Sequence, residues 1–180
     1  TDEELRERAY EETNLGGAAT ESAIKSAIRN VDGVKVVKIY KNKGEEVHYD
    51  NDLPPHSFEP VVYGGKDEDI ARAIFDVSSI DSRDVGGING IEENYDIKAE
   101  STNNVETISW SRPERVNVDI SLDLIIDESS FVGESEIRSR IVEYIGGIDV
   151  DGSFVTGLSV GEEIYIGVLK SKIVDPIETG

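Results

Sequence analysis

The residues with the clearest chemical potential lie in a loop, where His56 and Ser57 follow two prolines in the segment Asp52-Leu53-Pro54-Pro55-His56-Ser57. An imidazole beside a hydroxyl suggests a general base and a nucleophile. Neighbouring residues on an extended chain point to opposite faces, however, so these two do not form such a pair by themselves. The sequence favours a polar loop whose imidazole and hydroxyl bond to nearby backbone, and it predicts no catalytic residue.

Metal and phosphate sites are also disfavoured. The acidic run Asp50–Asp52 resembles the start of a calcium loop, but it lacks the central glycine and the distant bidentate glutamate of such a loop. The run Asp149–Gly152 resembles one too, but it is too short to predict a site. The glycines of Gly86–Gly90 lack the preceding strand, the following helix and the lysine of a phosphate-binding loop. The chain has no cysteine and only two histidines, so the sequence predicts no metal and no cofactor.

The charge of the chain limits the partners it can have. Its 180 residues carry 38 acids against 18 bases, a formal net charge of −20. Such a surface repels phosphate backbones, so nucleic-acid binding is disfavoured. Three explanations stay open: adaptation to high salt, a basic partner, and solubility alone. No apolar run approaches the roughly 18 residues of a membrane span, and a chain that starts at Thr1 without methionine is interpreted as lacking an N-terminal portion.

Hydrophobic periodicity predicts the elements of the first part of the chain. Pro60 cannot donate to a ladder, so the strand that contains it is expected at an edge or a bulge, and Asp67 is expected to cap the helix that follows it. A bulge is expected at Val36-Val37. The predicted elements are a first helix that begins at Thr1 and is broken by Asn14–Gly17, helices at Ala18–Val31 and from Asp67 to Val77, strands at Val34–Tyr40, Glu45–Tyr49 and Phe58–Tyr63, a loop at Ser78–Asn94, and a hairpin of Tyr95–Glu100 with Val105–Trp110.

The second part begins after the Ser111-Arg112-Pro113 segment. From Val116 to Ile126 apolar and polar residues alternate, which predicts a strand with one buried face and one face that is wet or covered by a partner. The polar face is formed by Asn117, Asp119, Ser121 and Asp123. Further elements are predicted as helices at Glu134–Ile145 and Leu158–Ile166 and a strand at Val168–Val174.

These patterns predict the α+β class. We expect two small α+β units, each with a short, mostly antiparallel sheet and helices packed on one face. The first unit spans residues 1–113 and the second, C-terminal unit spans residues 114–180.

The order of several short motifs resembles the baseplate J-like family, whose members are baseplate wedge components of contractile-tailed phages, prophages and related injection devices. The resemblance covers nearly the whole chain, and residues 1–113 would be its central domain. Each motif is weak alone, but their order and spacing are fairly specific. The matching segments are Thr1–Arg8, the Ala18–Val31 helix with Gly33-Val34, Asp52–Ser57, Val61–Gly65, Asp69–Ile74, Trp110–Pro113, the Glu134–Ile145 helix and Gly167-Val168. The chain departs from the family in its acidity and in the composition of Ser78–Asn94.

The resemblance implies a structural role without catalytic residues. The expected partners are other baseplate wedge proteins and tail components, with a homo-oligomer as a further option, in the tail baseplate of a virion or in the host cytoplasm during assembly. The candidate interface residues are Pro54, Pro55, His56 and Ser57 of the loop, and Asn117, Asp119, Ser121 and Asp123 of the predicted strand. The acidity would suit a virus of a high-salt host.

The sequence leaves two other function classes open. A carbohydrate- or receptor-binding module would use exposed aromatic rings, for which the sequence offers Tyr40, Tyr49, Tyr63 and Trp110. A hydrolase would use His48 or His56 with nearby acids, and it is the least favoured because no triad spacing is recognisable.

Overall fold

The computed structural model describes residues 20–48, 52–78, 83–99, 104–126 and 131–174. The chain divides into two compact units after Glu114. The described residues form four helices, a mixed sheet of five strands and a small sheet of two strands, which confirms the predicted α+β class. The helix predicted to begin at Thr1 lies outside the described residues.

Two helices of the first unit pack on its sheet and on each other. Helix α1 spans Glu21–Arg29, and the Thr20 hydroxyl accepts a hydrogen bond from the amide of Ala23, 3.1 Å away. Helix α2 spans Asp67–Val77, with Ile70, Ala71 and Ile74 buried. The predicted cap at Asp67 is wrong: Lys66 holds the N-cap position, and the Asp67 carboxylate bonds instead to Arg112.

The large sheet combines two antiparallel pairs. Strand β1 (Val34–Asn42) pairs with β2 (Ser57–Gly64), and β4 (Ile91–Lys98) pairs with β5 (Val105–Arg112). The pairs join in parallel between β2 and β5, giving the order β1-β2-β5-β4, and the short β3 (Arg83–Asp84) pairs with the start of β2. The sheet is therefore mixed, with its long ladders antiparallel as expected.

Strand β2 lies inside the sheet, and its register with β1 is unbroken at Pro60, so the prediction of an edge or a bulge there is wrong. On the side away from β1, it pairs with β3 at Ser57 and Phe58 and with β5 at Val61. Pro60 falls between these two short parallel pairings, where its missing N–H removes no bond from either. The register of β1 shifts between Val34 and Val36, slightly before the predicted bulge.

The core of the first unit lies between the two helices and the sheet. Its centre is formed by apolar side chains from α1, α2, β1, β2, β4 and β5, with Ile28, Trp110 and Ile74 fully buried. The predicted strand at Glu45–Tyr49 does not form in its described part, because residues 45–48 form bends and irregular backbone.

The second unit is built around two helices. Helix α3 spans Glu134–Ile145 as predicted, and α4 spans Ile166–Ile173, with a two-stranded sheet of β6 (Gly147–Ile148) and β7 (Phe154–Val155). The predicted helix at Leu158–Ile166 and the predicted strand at Val168–Val174 are both wrong. Leu169 and Ile173 lie four residues apart on one helical face and pack with Ile137, so tertiary packing selects the helical period.

The segment from Val116 to Ile126 forms no strand in the structure, contrary to the prediction. Its side chains are exposed on both faces, including the apolar face that was expected to be buried. Alternation alone did not produce a ladder, because a strand also needs a partner backbone.

Candidate functional site

The Pro54–Ser57 loop is held firmly on buried side chains. Leu53 is fully buried, and the buried Asn42 amide donates to the carbonyl oxygens of Glu46 (2.6 Å) and Leu53 (2.8 Å). The Ser57 hydroxyl donates to the carbonyl oxygen of Pro54 at 2.7 Å. The sequence expectation of side chain–backbone bonding is thus met at Ser57, and the loop is a fixed surface feature.

His56 and Ser57 are not brought together as a base and a nucleophile. Ser57 is buried and bonded to Pro54, whereas the His56 imidazole is exposed and its Nε2 lies 3.6 Å from Oε1 of Glu45. The His56 backbone has a φ of 51°, in the left-handed region. The side chain is 56% exposed, so a partner surface could contact it.

The carboxylates of the turn Asp149–Ser153 accept hydrogen bonds from other groups of the second unit. Asp149 Oδ1 accepts from the Ser139 hydroxyl and the Val150 amide, and Asp151 Oδ1 accepts from the Ser153 amide. Hydrogen bonds from Ser153 lower the pKa of Asp151. Among the described residues, no group of three or more His, Cys, Asp and Glu side chains is arranged to hold a metal ion.

The second candidate interface, the segment of residues 116–126, is exposed throughout. Asn117, Asp119, Ser121 and Asp123 face solvent as predicted for the polar side. The apolar side is also largely accessible, which sequence reasoning missed. The exposed fractions are 80% for Val116, 45% for Val118, 36% for Ile120, 40% for Leu122, 44% for Leu124 and 49% for Ile126.

This apolar side forms one wall of a groove in the second unit. Ile120, Leu122 and Leu124 face the groove together with Ile137 and Ile141 of α3. Its volume is about 770 Å³, and its lining also includes Glu134, Arg138, Ile148, Asp149 and Val150. The segment therefore offers an apolar groove on one side and carboxylates on the other.

A buried polar network in the first unit was also missed by sequence reasoning. Glu59 on β2 is fully buried and accepts hydrogen bonds from the amides of Ile88 (3.0 Å) and Asn89 (2.9 Å). It also accepts from the Asn89 side-chain amide and from the Ser111 hydroxyl, each at 2.6 Å. A glutamate inside the apolar strand Phe58–Tyr63 was the available signal, because a buried carboxylate requires several donors.

The glycines near Gly86–Gly90 serve this packing. A Cβ at Gly86 would lie 2.3 Å from the carbonyl oxygen of Trp110, and one at Gly90 would lie 2.5 Å from that of Arg112. Only glycine lets the loop approach the backbone of β5 this closely. The Gly86–Gly90 loop therefore packs directly against the sheet and has a structural role.

Arg112 joins three parts of the first unit. Its guanidinium donates to the carbonyl oxygens of Val62, Gly64 and Gly65 and to the Asp67 carboxylate. The end of β2, the following turn and the start of α2 are thereby tied to the end of β5. A planar group with several donors suits this role.

Two further groups near the network have displaced pKa values. Burial raises the pKa of Tyr40, and the charge of Glu59 raises it further. Burial also raises the pKa of Asp84, although hydrogen bonds from the Ser109 and Asp84 amides and the charge of Arg83 act in the opposite direction. These shifts follow from packing within the sheet.

Of the four rings considered for a binding platform, three lie in the described residues, and Tyr63 is the most exposed of these. Trp110 is fully buried, and Tyr40 is half-buried with the Lys38 ammonium 5.5 Å from its ring centre. Tyr63 is 43% exposed, and Tyr49 lies outside the described residues. Trp110 thus has no ring face to offer to a sugar.

Comparison with models of known protein families and with curated proteins gave no match. No helix in the described part of the chain is long and apolar enough to cross a membrane.

Proposed function

We propose that the chain is a structural component of a contractile-tail baseplate, of the wedge type, that acts through protein–protein interfaces. The baseplate assignment rests on the resemblance, in which several motifs occur in the order and spacing of the baseplate J-like family. The interface role rests on the surfaces of the second unit.

The motifs behind the resemblance have coherent places in the first unit. Arg112, from the Trp110–Pro113 motif, donates to the backbone of the Val61–Gly65 motif. The Asp52–Ser57 motif forms the anchored loop that leads into β2. Segments that are distant in sequence thus contribute to one local framework in the first unit.

The single observation that carries the interface role is the exposed apolar row of residues 116–126. Contiguous apolar surface of this kind is unusual on a monomer and marks interaction sites. The row has carboxylates on its opposite face, so a partner would meet both apolar and acidic surface. A wedge subunit requires such contacts with its neighbours.

The assignment can be tested by locating the chain in contractile-tail particles from its source. Antibodies raised against the purified chain would be applied to extended and contracted tails and viewed by negative-stain electron microscopy. Labelling at the baseplate end of the tail is expected. Labelling only along the sheath, or intact particles whose purified proteins do not include this chain, would contradict the proposal.

The interface role has a separate test in assembly. Asp119→Lys with Asp123→Lys should weaken incorporation of the chain into baseplates, because both carboxylates are exposed on the candidate surface. The matched control is Glu68→Lys with Glu106→Lys, which makes the same change in charge on exposed residues of the first unit. Equal incorporation of the two variants would argue against an interface at residues 116–126.

A further inference from the structure

The backbone of residues 115–126 makes no backbone–backbone hydrogen bond within the described part of the chain. Backbone N–H and C=O groups in an extended segment are strong hydrogen-bonding groups, and another strand can pair with them. If a partner strand pairs with this segment, the alternation from Val116 to Ile126 places the apolar side chains of the segment on the same face as the apolar side chains of the partner.

The groove offers an apolar surface that the side chains of an added strand can cover. A strand added beside Ile120, Leu122 and Leu124 would direct its own apolar side chains over the same groove, toward Ile137 and Ile141. Main-chain bonds would give the contact its affinity, and the alternate side chains would give it specificity.

The charge on the other face identifies the chemistry of the added strand. Asp119 and Asp123 are exposed and lie on the side away from the groove. Opposite charges on directly opposed residues stabilise a strand pair, whereas like charges destabilise it. The chain as a whole carries a net charge of −20, which reinforces the preference for a basic partner.

We propose that residues 116–126 are an acceptor for a β-strand of a partner protein in which lysine or arginine alternates with apolar residues. The apolar residues of this partner strand cover the groove formed with α3, and its basic residues lie opposite Asp119 and Asp123. The inference rests on the proposed function in taking the chain to act through protein contacts, and it adds the type of contact and the chemistry of the partner.

A second copy of the same segment fits less well. Antiparallel pairing of residues 116–126 with themselves over their full length centres on Ser121 and sets Asp119 opposite Asp123 twice. These like-charge pairs would oppose the dimer, and two chains of net charge −20 repel each other at low salt.

The test uses a synthetic peptide probe with the sequence Lys-Val-Lys-Ile-Lys-Val-Lys-Ile-Lys, blocked at both ends and labelled with a fluorophore. Its control has the same composition with the lysines grouped at one end. Binding to the full chain is followed by fluorescence anisotropy, and hydrogen–deuterium exchange measures the amides of residues 116–126. The alternating peptide should bind more tightly than the grouped one and should slow exchange in this segment.

Variants of the chain locate the contact. Asp119→Asn with Asp123→Asn should weaken binding of the alternating peptide roughly tenfold, since two cross-strand charge pairs are lost. Leu122→Asp should weaken it through the groove, and Leu122 is 40% exposed, so this variant is expected to fold. Glu68→Gln with Glu106→Gln removes the same charge from the first unit and should change the affinity less than about twofold.

Several results would overturn the proposal. One is equal affinity for the two peptides, and another is an equal effect of the two double charge variants. Slow hydrogen–deuterium exchange of residues 116–126 in the chain without peptide would show that the segment already has a partner strand. This measurement requires no variant. A dimer by light scattering that is lost in Leu122→Asp would identify a second copy as the occupant. These results would leave the labelling of baseplates unaffected, so failure of the strand contact is distinguishable from failure of the proposed function.

Discussion

Replacing Glu59 tests whether the buried network holds the first unit together. Glu59 accepts bonds from four donors: the Ile88 amide, the Asn89 amide, the Asn89 side chain and the Ser111 hydroxyl. Glu59→Gln keeps one side-chain oxygen as an acceptor. It replaces the other oxygen with an NH2 group, which cannot accept the hydrogen bonds that Asn89 donates. A hydrogen bond to a charged group contributes about 1.5–3 kcal/mol net, so losing the equivalent of one such bond should destabilise the unit by about 2–3 kcal/mol.

Trp110 supplies the assay. It is the only tryptophan, it is fully buried, and it adjoins Ser111 of the network, so its fluorescence reports unfolding of the first unit. Urea titrations with linear extrapolation would give the free energy of unfolding for the parent and the variant. The matched control is Glu106→Gln, a change at an exposed position on β5 that should stay within about 0.5 kcal/mol.

The size of the effect decides the outcome. Glu59→Ala leaves the Ile88 and Asn89 amides without their acceptor, and should cost more than Glu59→Gln, about 4 kcal/mol. A loss below about 0.5 kcal/mol for Glu59→Gln, equal to that of the exposed control, would refute the reasoning. It would mean that burial of the charge costs as much as its hydrogen bonds return.

Three further predictions use the same fluorescence assay. Arg112→Lys should destabilise the first unit by about 2 kcal/mol, because one ammonium cannot replace bonds to three carbonyls and a carboxylate. Burial raises the pKa of Asp84, which disfavours its ionised form in the folded chain, so Asp84→Asn should raise the urea midpoint at pH 7. That advantage should shrink as the pH falls through the raised pKa toward the ordinary value of 3.8. The urea midpoint of the parent should rise between 0.01 M and 1 M sodium chloride, since the Debye length falls from about 30 Å to about 3 Å and self-repulsion weakens.

Each of these has a result that would contradict it. For Arg112 the control is Arg29→Lys, at an exposed position in the last turn of α1. Equal losses of unfolding free energy in the two variants would show that the planar guanidinium of Arg112 contributes no more than an ammonium would. For Asp84, a benefit that persists unchanged at pH 3, where most carboxyl groups are protonated, would point to an effect other than ionisation. A benefit equalled by Glu106→Gln at pH 7 would point to net charge instead of burial. A midpoint that falls with salt would show that attractive charge pairs outweigh repulsion.

The predictable parts of the fold are those in which local pattern and tertiary packing agree. Glu134–Ile145 has a helical stripe and a closing Gly146, and its bounds were predicted correctly. The Tyr95 and Val105 strands alternate beside a short turn and form the antiparallel β4–β5 pair. The hairpin has its partner strand close in sequence, and the helix has a local stripe and stop signal strong enough to set its bounds without knowledge of its packing partners.

The errors occur where distant residues decide the structure. The strand of Pro60 was predicted at an edge or a bulge because the sequence cannot show that β2 pairs with β3 before Pro60 and with β5 after it. The segment after Val168 alternates weakly, yet Leu169 and Ile173 pack on Ile137 as a helix. The segment of residues 116–126 has the clearest alternation in the chain but no strand, because its pattern describes the side chains and says nothing about a backbone partner.

For the candidate sites, sequence reasoning identified exposed residues better than buried ones. Asp119 and Asp123 are exposed, as expected for the polar side of their segment. The imidazole of His56 is exposed beside the Glu45 carboxylate, whereas a bond to nearby backbone was expected. The Glu59 network was missed because its donors come from a loop about 30 residues away and from β5, which no local pattern connects.

The narrow join between β2 and β5 has a kinetic consequence. The two strands are in register only at Val61 and Ser111, and side chains of Glu59 and Arg112 supply the other bonds across the join. The β4–β5 hairpin closes a short loop, whereas the join must close a loop of roughly fifty residues, which costs more chain entropy. We expect the hairpin to form early in folding and the join to form after the rate-limiting step, so variants at Glu59 should accelerate unfolding and leave the folding rate nearly unchanged.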